Sequence, residues 1–129
     1  MSSSELRYLI ATNELTNQKE YVKQTDVANK LCVSKVSAHN ALERLCLKGF
    51  ILKDQRSLVL TNRGKKILNE YITIIHFIAA YLSLHCGTAP DLAYEDALNA
   101  TCAFSDATRN EVANFIKSGM VGAHHEPVK

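Results

Sequence analysis

The chain has 129 residues, of which 47% are hydrophobic and 22% charged, a composition typical of a soluble globular protein. The longest apolar run, at residues 71–84, is interrupted by Thr, His and Ser. It is shorter than the roughly 20 residues that a membrane span needs, so we predict a buried helix there. No basic start followed by an apolar run opens the sequence, so we expect no secretory signal, and its four cysteines form no C-x-x-C pair. We therefore expect a cytoplasmic protein with reduced thiols and no membrane association.

Charge is unevenly distributed along the chain, although the formal net charge is only +2. Residues 1–66 contain 12 Lys and Arg against 6 Asp and Glu, whereas residues 67–129 contain 3 against 7. A basic segment beside an acidic one indicates that only the basic part meets a polyanion. We therefore expect a polyanionic partner to bind the first half of the chain.

The first half is predicted to begin with three short helices. Apolar residues recur at helical spacing over Ser4–Leu15. Thr25 is predicted to cap the second helix and Ser34 the third, because their hydroxyls can accept from unpaired backbone N–H groups. The third helix is expected to end near Lys48, where Gly49 supplies the left-handed conformation.

A short β-hairpin is predicted after these helices. Ile51 and residues 58–60 are typical strand residues, and residues 54–57 form a polar reversal. Helices followed by a hairpin in this order predict a winged helix-turn-helix. We predict a mainly α fold in which residues 1–64 form the winged DNA-binding domain with a small β-hairpin wing. Residues 65–118 are predicted to form a helical dimerisation region, and residues 119–129 a flexible tail.

The second half is predicted to contain one long helix and two shorter ones. Thr61 caps the long helix, whose apolar residues form two adjacent stripes. One small lobe cannot cover so wide an apolar surface, so we expect a homodimer held by the helices after residue 66. Pro90 suits the first turn of the next helix. Ser105 is predicted to cap the last helix, in which Phe115 is expected to face inward.

The third helix has a polar face opposite its apolar face. In a helix-turn-helix this helix enters the major groove and presents its first turns to base edges. Asn pairs with adenine, Lys and His donate to guanine, and Val contacts the thymine methyl. Residues near helix N-termini and cations on the hairpin are suited to phosphates. The predicted DNA-binding residues are Gln24, Thr25, Lys35, Val36, Ser37, His39, Asn40, Arg44, Lys53 and Arg56.

Four stretches of the sequence are similar to those of a known family. They read TDVANKLCVSKVSAHNALERL, KGFI, LVLTNRGKKI and YEDALNATCAFSDAT. Over residues 5–117 the chain resembles the diphtheria-toxin-repressor family of metal-dependent repressors, especially its short manganese-responsive members. The resemblance implies a homodimeric transcriptional repressor. Two reading helices related by a twofold axis lie about 34 Å apart, which implies a near-palindromic operator in double-stranded DNA.

The metal ligands that the resemblance implies are mostly replaced in this sequence. The His position of the long helix falls on Ile75, and the ligand positions of the following helix fall on Leu98, Thr101 and Cys102. In the first helix only Glu5 remains. We therefore expect the metal site to be lost and predict no cofactor. The alternative is a metal- or thiol-responsive site rearranged from nearby side chains, for which the candidates are His76, His85, Cys86 and Cys102.

Two other functional classes are weighed against a DNA-binding regulator. A winged-helix module that binds protein is weakly favoured by the outward Glu43. An enzyme is not predicted, because the sequence has no Gly-rich phosphate loop, no nucleophile elbow and no carboxylate pair with a base. Steep salt dependence of binding to duplex DNA would separate the regulator from the protein-binding module.

Overall fold

The computed structural model describes residues 1–119, which form helices and one β-hairpin. The prediction of a mainly α, winged-helix fold is confirmed. The contacts divide the chain into two compact units, Met1–Leu68 and the segment from Asn69 onward. The predicted tail lies outside the described residues, apart from Gly119. The elements are α1 Ser3–Gln18, α2 Gln24–Leu31, α3 Lys35–Leu47, β1 Ile51–Asp54, β2 Ser57–Leu60, α4 Asn62–His85, α5 Pro90–Cys102, α6 Asp106–Asn114 and a π-helix Phe115–Gly119.

Side-chain caps fix where the helices of the first unit begin. Ser34 caps α3 as predicted, since its Oγ accepts from the backbone N of Ser37 at 3.0 Å. The predicted cap at Thr25 is wrong. Helix α2 begins earlier, at Gln24, and the Asp26 carboxylate reaches back to accept from the backbone N of Lys23 at 2.9 Å. An ionised carboxylate is a stronger acceptor at a helix N-terminus than a hydroxyl, which accounts for the earlier start.

The core of the first unit lies between the first three helices and the hairpin. Helix α1 packs on α2, α3 and β2. The side chains at its centre are apolar and almost fully buried, which is the arrangement that the helical spacing predicts. They are Leu6, Leu9, Val27, Leu42, Leu45, Ile51 and Leu58.

The wing is a two-stranded antiparallel hairpin with a two-residue turn. Ile51 pairs with Leu60 at its base. Gln55 and Arg56 form the turn with φ values of 50° and 69°, the conformation that matches the right-handed twist of a hairpin. The wing is also tied to the segment before α2, because Ser57 Oγ accepts from the backbone N of Val22 at 2.9 Å. This hydrogen bond places the wing beside the N-terminus of α2.

The second unit is built around the buried side of α4, against which α5 and α6 contribute buried residues. Its apolar core includes Tyr71, Ile74, Ile75 and Leu98, each 1% exposed or less. Ser105 caps α6 as predicted, with its Oγ accepting from the backbone N of Thr108.

The prediction that Phe115 faces inward is wrong, since its side chain is 60% exposed. Arg109 and Ala113, one turn apart on α6, occupy the buried positions instead. Helix α6 ends at Asn114, and the chain enters the wider π-helix at Phe115. A face predicted from the α-helical period does not hold where the period changes.

Candidate nucleic-acid interface

Helix α3 has one buried face and one exposed face, as predicted. Ala38, Ala41, Leu42 and Leu45 are each 1% exposed or less. The opposite face carries only exposed residues, among them Val36, which is 70% exposed although it is apolar. The predicted DNA-binding residues on this exposed face are Lys35, Val36, Ser37, His39, Asn40 and Arg44.

A hydrogen bond connects the start of α2 to the exposed face of α3. His39 Nδ1 lies 3.1 Å from Gln24 Oε1. The other amide atom of Gln24, Nε2, is buried and has no hydrogen-bond partner within the part of the chain that the structure describes. Two of the predicted DNA-binding residues are thus held together.

The wing and the N-terminus of α2 together line a basic cleft of about 260 Å³. Lys53 and Arg56 contribute from the hairpin, while Lys23 and Gln24 contribute from the start of α2. A helix N-terminus carries unpaired N–H groups and partial positive charge, so both sides of the cleft attract anions. The sequence pointed to Lys53, Arg56 and Gln24 but missed Lys23, because the start of α2 was placed too late.

A second groove, of about 340 Å³, runs along the exposed face of α3. Ser37, Asn40 and Arg44 line it from α3, and Ser4 and Tyr8 line it from α1. The N-terminal half of α1 therefore forms one wall of the surface that the predicted DNA-binding residues occupy. The sequence does not predict that α1 lies there, because the helical pattern of α3 does not show which element lies beside its polar face.

Glu5, which the sequence did not connect with DNA, forms an ion pair with Arg44 of this groove. Its side chain is 8% exposed and accepts from Arg44 Nε at 3.2 Å and from Lys48 Nζ at 2.8 Å. Burial raises the pKa of the Glu5 carboxyl, but hydrogen bonds from Lys48 and Ser2 and the charge of Lys48 outweigh it and bring the pKa to about 2. Glu5 is therefore ionised throughout the neutral range.

Two sequence signals mark the members of this cluster. Ser2 and Glu5 stand three residues apart and form a capping box, in which Ser2 Oγ accepts from the backbone N of Glu5 at 3.1 Å. Arg44 and Lys48 stand four residues apart, so they lie on one side of α3, one turn from each other. Neither signal predicts that the two pairs meet.

Comparison with known protein families and with curated proteins gives no match. Solved structures do match. A hypothetical protein from Sulfolobus solfataricus has a TM-score of 0.70 at 21% identity, over 90% of this chain and 89% of that one. The manganese regulator SloR has a TM-score of 0.71 at 24% identity, and the metal-dependent transcriptional regulator MtsR 0.74 at 19%. The match to SloR covers 88% of this chain and 53% of SloR. The match to MtsR covers 91% of this chain and 55% of MtsR.

The chain has the fold of the diphtheria-toxin-repressor family. The resemblance predicted from the sequence is thereby confirmed for the fold. The chain spans nearly all of the Sulfolobus protein but only about half the length of the two regulators.

The positions that the resemblance assigns to metal ligands in α4 and α5 do not fit a metal ion. Ile75, Leu98 and Thr101 are buried, and the hydroxyl of Thr101 donates to the backbone O of Ala97 at 2.7 Å. Among residues 1–119, no group of three or more His, Cys, Asp or Glu side chains is placed to hold a metal ion. The candidates for a rearranged site are therefore not part of such a group: His76, His85 and Cys86 are exposed, and Cys102 is half-buried.

Proposed function

We propose that this protein is a DNA-binding transcriptional regulator, a repressor that acts as a homodimer on a near-palindromic operator. The observation that carries the proposal is the exposed polar face of α3. It lines one groove through Ser37, Asn40 and Arg44, and its His39 is hydrogen-bonded to Gln24, which lines the basic cleft beside the wing. The solved structures of similar fold support it, because SloR is described as a manganese regulator and MtsR as a metal-dependent transcriptional regulator.

The two sides of the interface have different roles in this proposal. Asn40 and Lys35, on the first turns of α3, contact base edges in the major groove. Lys53 and Arg56 on the wing, with Lys23 at the start of α2, contact phosphates and fix the position of α3. Sequence preference then depends on α3, whereas most of the salt-dependent affinity comes from the wing and the start of α2.

Exchanging single residues tests this division of roles. We expect Asn40→Ala to cost about 1–3 kcal/mol on the preferred duplex and to relax the choice of one base pair. We expect Arg56→Ala to weaken binding to every duplex alike, and to lower the slope of log K against log salt by about 0.9. Fluorescence anisotropy measures the dissociation constant of each variant, on a duplex selected from random sequences and on a scrambled duplex of the same composition.

The control for this experiment is Lys117→Ala, which removes a charge from the second unit and is expected to change neither duplex affinity. Equal effects of Asn40→Ala and Arg56→Ala on the two duplexes would contradict the division of roles. Failure of the wild-type protein to bind any duplex at low salt would overturn the proposed function and favour the protein-binding module.

The second unit supports the homodimer. Several of its large apolar side chains are exposed, on α4, α5 and the π-helix: Phe77, Tyr81, Leu84, Leu92 and Phe115. Burying such side chains is worth about 1.5–3 kcal/mol each, and an identical surface on a second chain can cover them around a twofold axis. In this proposal they form the dimer interface, with the functional boundary between the two regions at about residue 64.

Sedimentation velocity tests the dimer. We expect the wild-type protein to sediment as a dimer, and Leu84→Glu to sediment as a monomer with unchanged helix content. Leu84 is 79% exposed within one chain, so the substitution leaves the fold of that chain intact. Asn69→Glu adds the same charge at an exposed position closer to the start of α4 and is the matched control. A monomeric wild-type protein would contradict the proposal.

We also propose that regulation by the family's metal ion has been lost. The metal ion needs oxygen and imidazole ligands. The ligand positions instead hold the apolar Ile75 and Leu98, and Thr101, whose hydroxyl is hydrogen-bonded within its own helix.

The cytoplasm is the compartment we propose. By length and composition alone, helix α4 is long and apolar enough to cross a membrane. Its most apolar stretch of 18 residues has a mean hydropathy of 1.4, and 28% of that stretch is buried. However, its Glu70 forms a buried ion pair with Arg109 of α6, at 3.0 Å. This pair, together with the buried Ile74 and Ile75, is typical of the core helix of a globular unit.

A further inference from the structure

Arg44 of α3 and Lys48, which caps the C-terminus of α3, share one buried carboxylate on α1. Glu5 Oε2 accepts from Arg44 Nε at 3.2 Å, and Glu5 Oε1 accepts from Lys48 Nζ at 2.8 Å. Oε1 also accepts from the backbone N of Ser2 at 3.2 Å. With both oxygens engaged and the side chain 8% exposed, the carboxylate has one well-defined position.

Arg44 has more hydrogen-bonding groups than this contact uses. A guanidinium carries five N–H donors in a rigid plane, and the bond to Glu5 is made by Nε. The side chain of Arg44 is 51% exposed, and it lines the groove that also contains Ser37 and Asn40. Its terminal nitrogens are the groups that suit bidentate contact with a phosphate.

The charges of the cluster explain why two cations accompany one carboxylate. A carboxylate paired with Arg44 alone would cancel the charge that attracts a phosphate. Lys48 adds a second positive charge, so that the three side chains together carry a net charge of one. The cluster therefore fixes the direction of a guanidinium and still attracts an anion.

We propose that Glu5 is a positioning residue for DNA recognition, which holds Arg44 so that its guanidinium binds a backbone phosphate in register with the base read by Asn40. The inference rests on the proposed DNA-binding function and deepens it. A long Arg side chain loses rotamer freedom when it binds, and a side chain already fixed by Glu5 loses less. The benefit exists only where the phosphate and the base are both in register, that is, on the preferred duplex.

Glu5→Gln tests the proposal, with Glu14→Gln as the matched control. Both substitutions remove one negative charge from α1, but Glu14 pairs with Lys30, away from the α3 face. The readout is the ratio of affinities for a selected duplex and a scrambled one. We expect Glu5→Gln to lower this ratio roughly tenfold, the effect of one lost charge-assisted hydrogen bond, and Glu14→Gln to change it less than twofold. A smaller folded fraction alone leaves the ratio unchanged, because it weakens both affinities equally.

Arg44→Lys keeps the charge at an exposed position and therefore the fold, but loses the planar fork. We expect it to lower the ratio as Glu5→Gln does, and the double variant to lower it no further. The proposal is overturned if Glu5→Gln keeps the wild-type ratio, or if its effect persists undiminished in the Arg44→Lys background. Either result leaves DNA binding by the wild-type protein intact, whereas loss of all duplex binding by the wild type would overturn the proposed function itself.

Discussion

Replacing Gly64 with Ala is expected to destabilise the first unit by about 3 kcal/mol, although Ala is the better helix former. Gly64 lies in the first turn of α4, directly against the backbone of the residue that precedes the wing. A Cβ atom at this position would stand 2.1 Å from the carbonyl O of Phe50 and 2.9 Å from its carbonyl C. Both distances are far inside van der Waals contact, and both atoms belong to backbone, which cannot rotate away.

The carbonyl of Phe50 is held in place from two sides, which is why the clash cannot be relieved cheaply. Its oxygen accepts from the backbone N of Thr61 at 3.0 Å. Thr61 in turn caps α4 through the backbone N of Gly64 and donates to the backbone O of Gly49 at 2.6 Å. Moving the carbonyl would break the contact between the end of α3 and the start of α4. Helix propensity favours Ala over Gly by only about 1 kcal/mol. The clash therefore outweighs it, and Gly64→Ala lowers the free energy of unfolding.

Urea unfolding followed by circular dichroism measures the effect. Lys65→Ala, one position along the same turn and exposed, is the control and is expected to change the free energy of unfolding by less than about 0.5 kcal/mol. Gly87→Ala should cost about 1 kcal/mol, because its φ of 72° is strained for Ala but its surroundings are open. A Gly64→Ala protein as stable as the wild type would show that α3 and α4 approach less closely than described.

The order of elements in the first unit could be predicted because each carries a local signal. The caps at Ser34 and Thr61 and the left-handed Gly49 are set by interactions within a few residues. The two faces of α3 follow from the helical period alone. Thr25 shows the limit of this reasoning, since two acceptors near one helix start compete and the sequence does not show which one wins.

The parts of the candidate interface that the sequence missed depend on contacts between distant residues. Glu5 meets Arg44 and Lys48 across 39 and 43 positions of the chain, and Tyr8 joins the groove beside Asn40. The predicted division between base-reading and phosphate-binding residues stays a prediction. The structure adds that Arg44 is not a free cation on the surface but one arm of a shared ion pair. A count of Lys and Arg in the sequence therefore overstates the net positive charge that α3 presents to DNA.

Arg109→Met is expected to destabilise the second unit by about 3–5 kcal/mol, the cost of leaving a buried charge without its partner. The guanidinium of Arg109 is 7% exposed, and its Nε donates to Glu70 Oε1 at 3.0 Å. Its Nη1 donates to Asp106 Oδ1 at 2.7 Å and to Tyr71 Oη at 3.3 Å. Burial alone lowers the pKa of Arg109, but the hydrogen bonds to Asp106 and Glu70 outweigh it and raise the pKa above its ordinary value.

The position of these residues explains why the cost is large. Glu70 and Tyr71 are on α4, while Asp106 and Arg109 are on α6, so the cluster joins two helices that are distant in sequence. The guanidinium carbon also lies 4.8 Å from the centre of the Tyr71 ring, within the range of a cation–π contact. When Arg109 is lost, the one hydrogen bond to the Glu70 carboxylate that remains among residues 1–119 comes from Asn110 Nδ2, at 2.8 Å. One neutral donor does not replace a guanidinium.

A double replacement separates the cost of an unpaired charge from the value of the pair itself. Glu70→Leu combined with Arg109→Met is expected to recover most of the lost stability, because two apolar side chains can fill the same space without an ionised group. Lys30→Ala is the control, since its pair with Glu14 is partly exposed and is worth about 0–1 kcal/mol. Chemical unfolding of the wild type, the single variants Glu70→Leu and Arg109→Met, and the double variant gives the coupling energy between the two residues. If the double variant were no more stable than Arg109→Met alone, the loss would come from packing around α6, and the buried carboxylate would not be its cause.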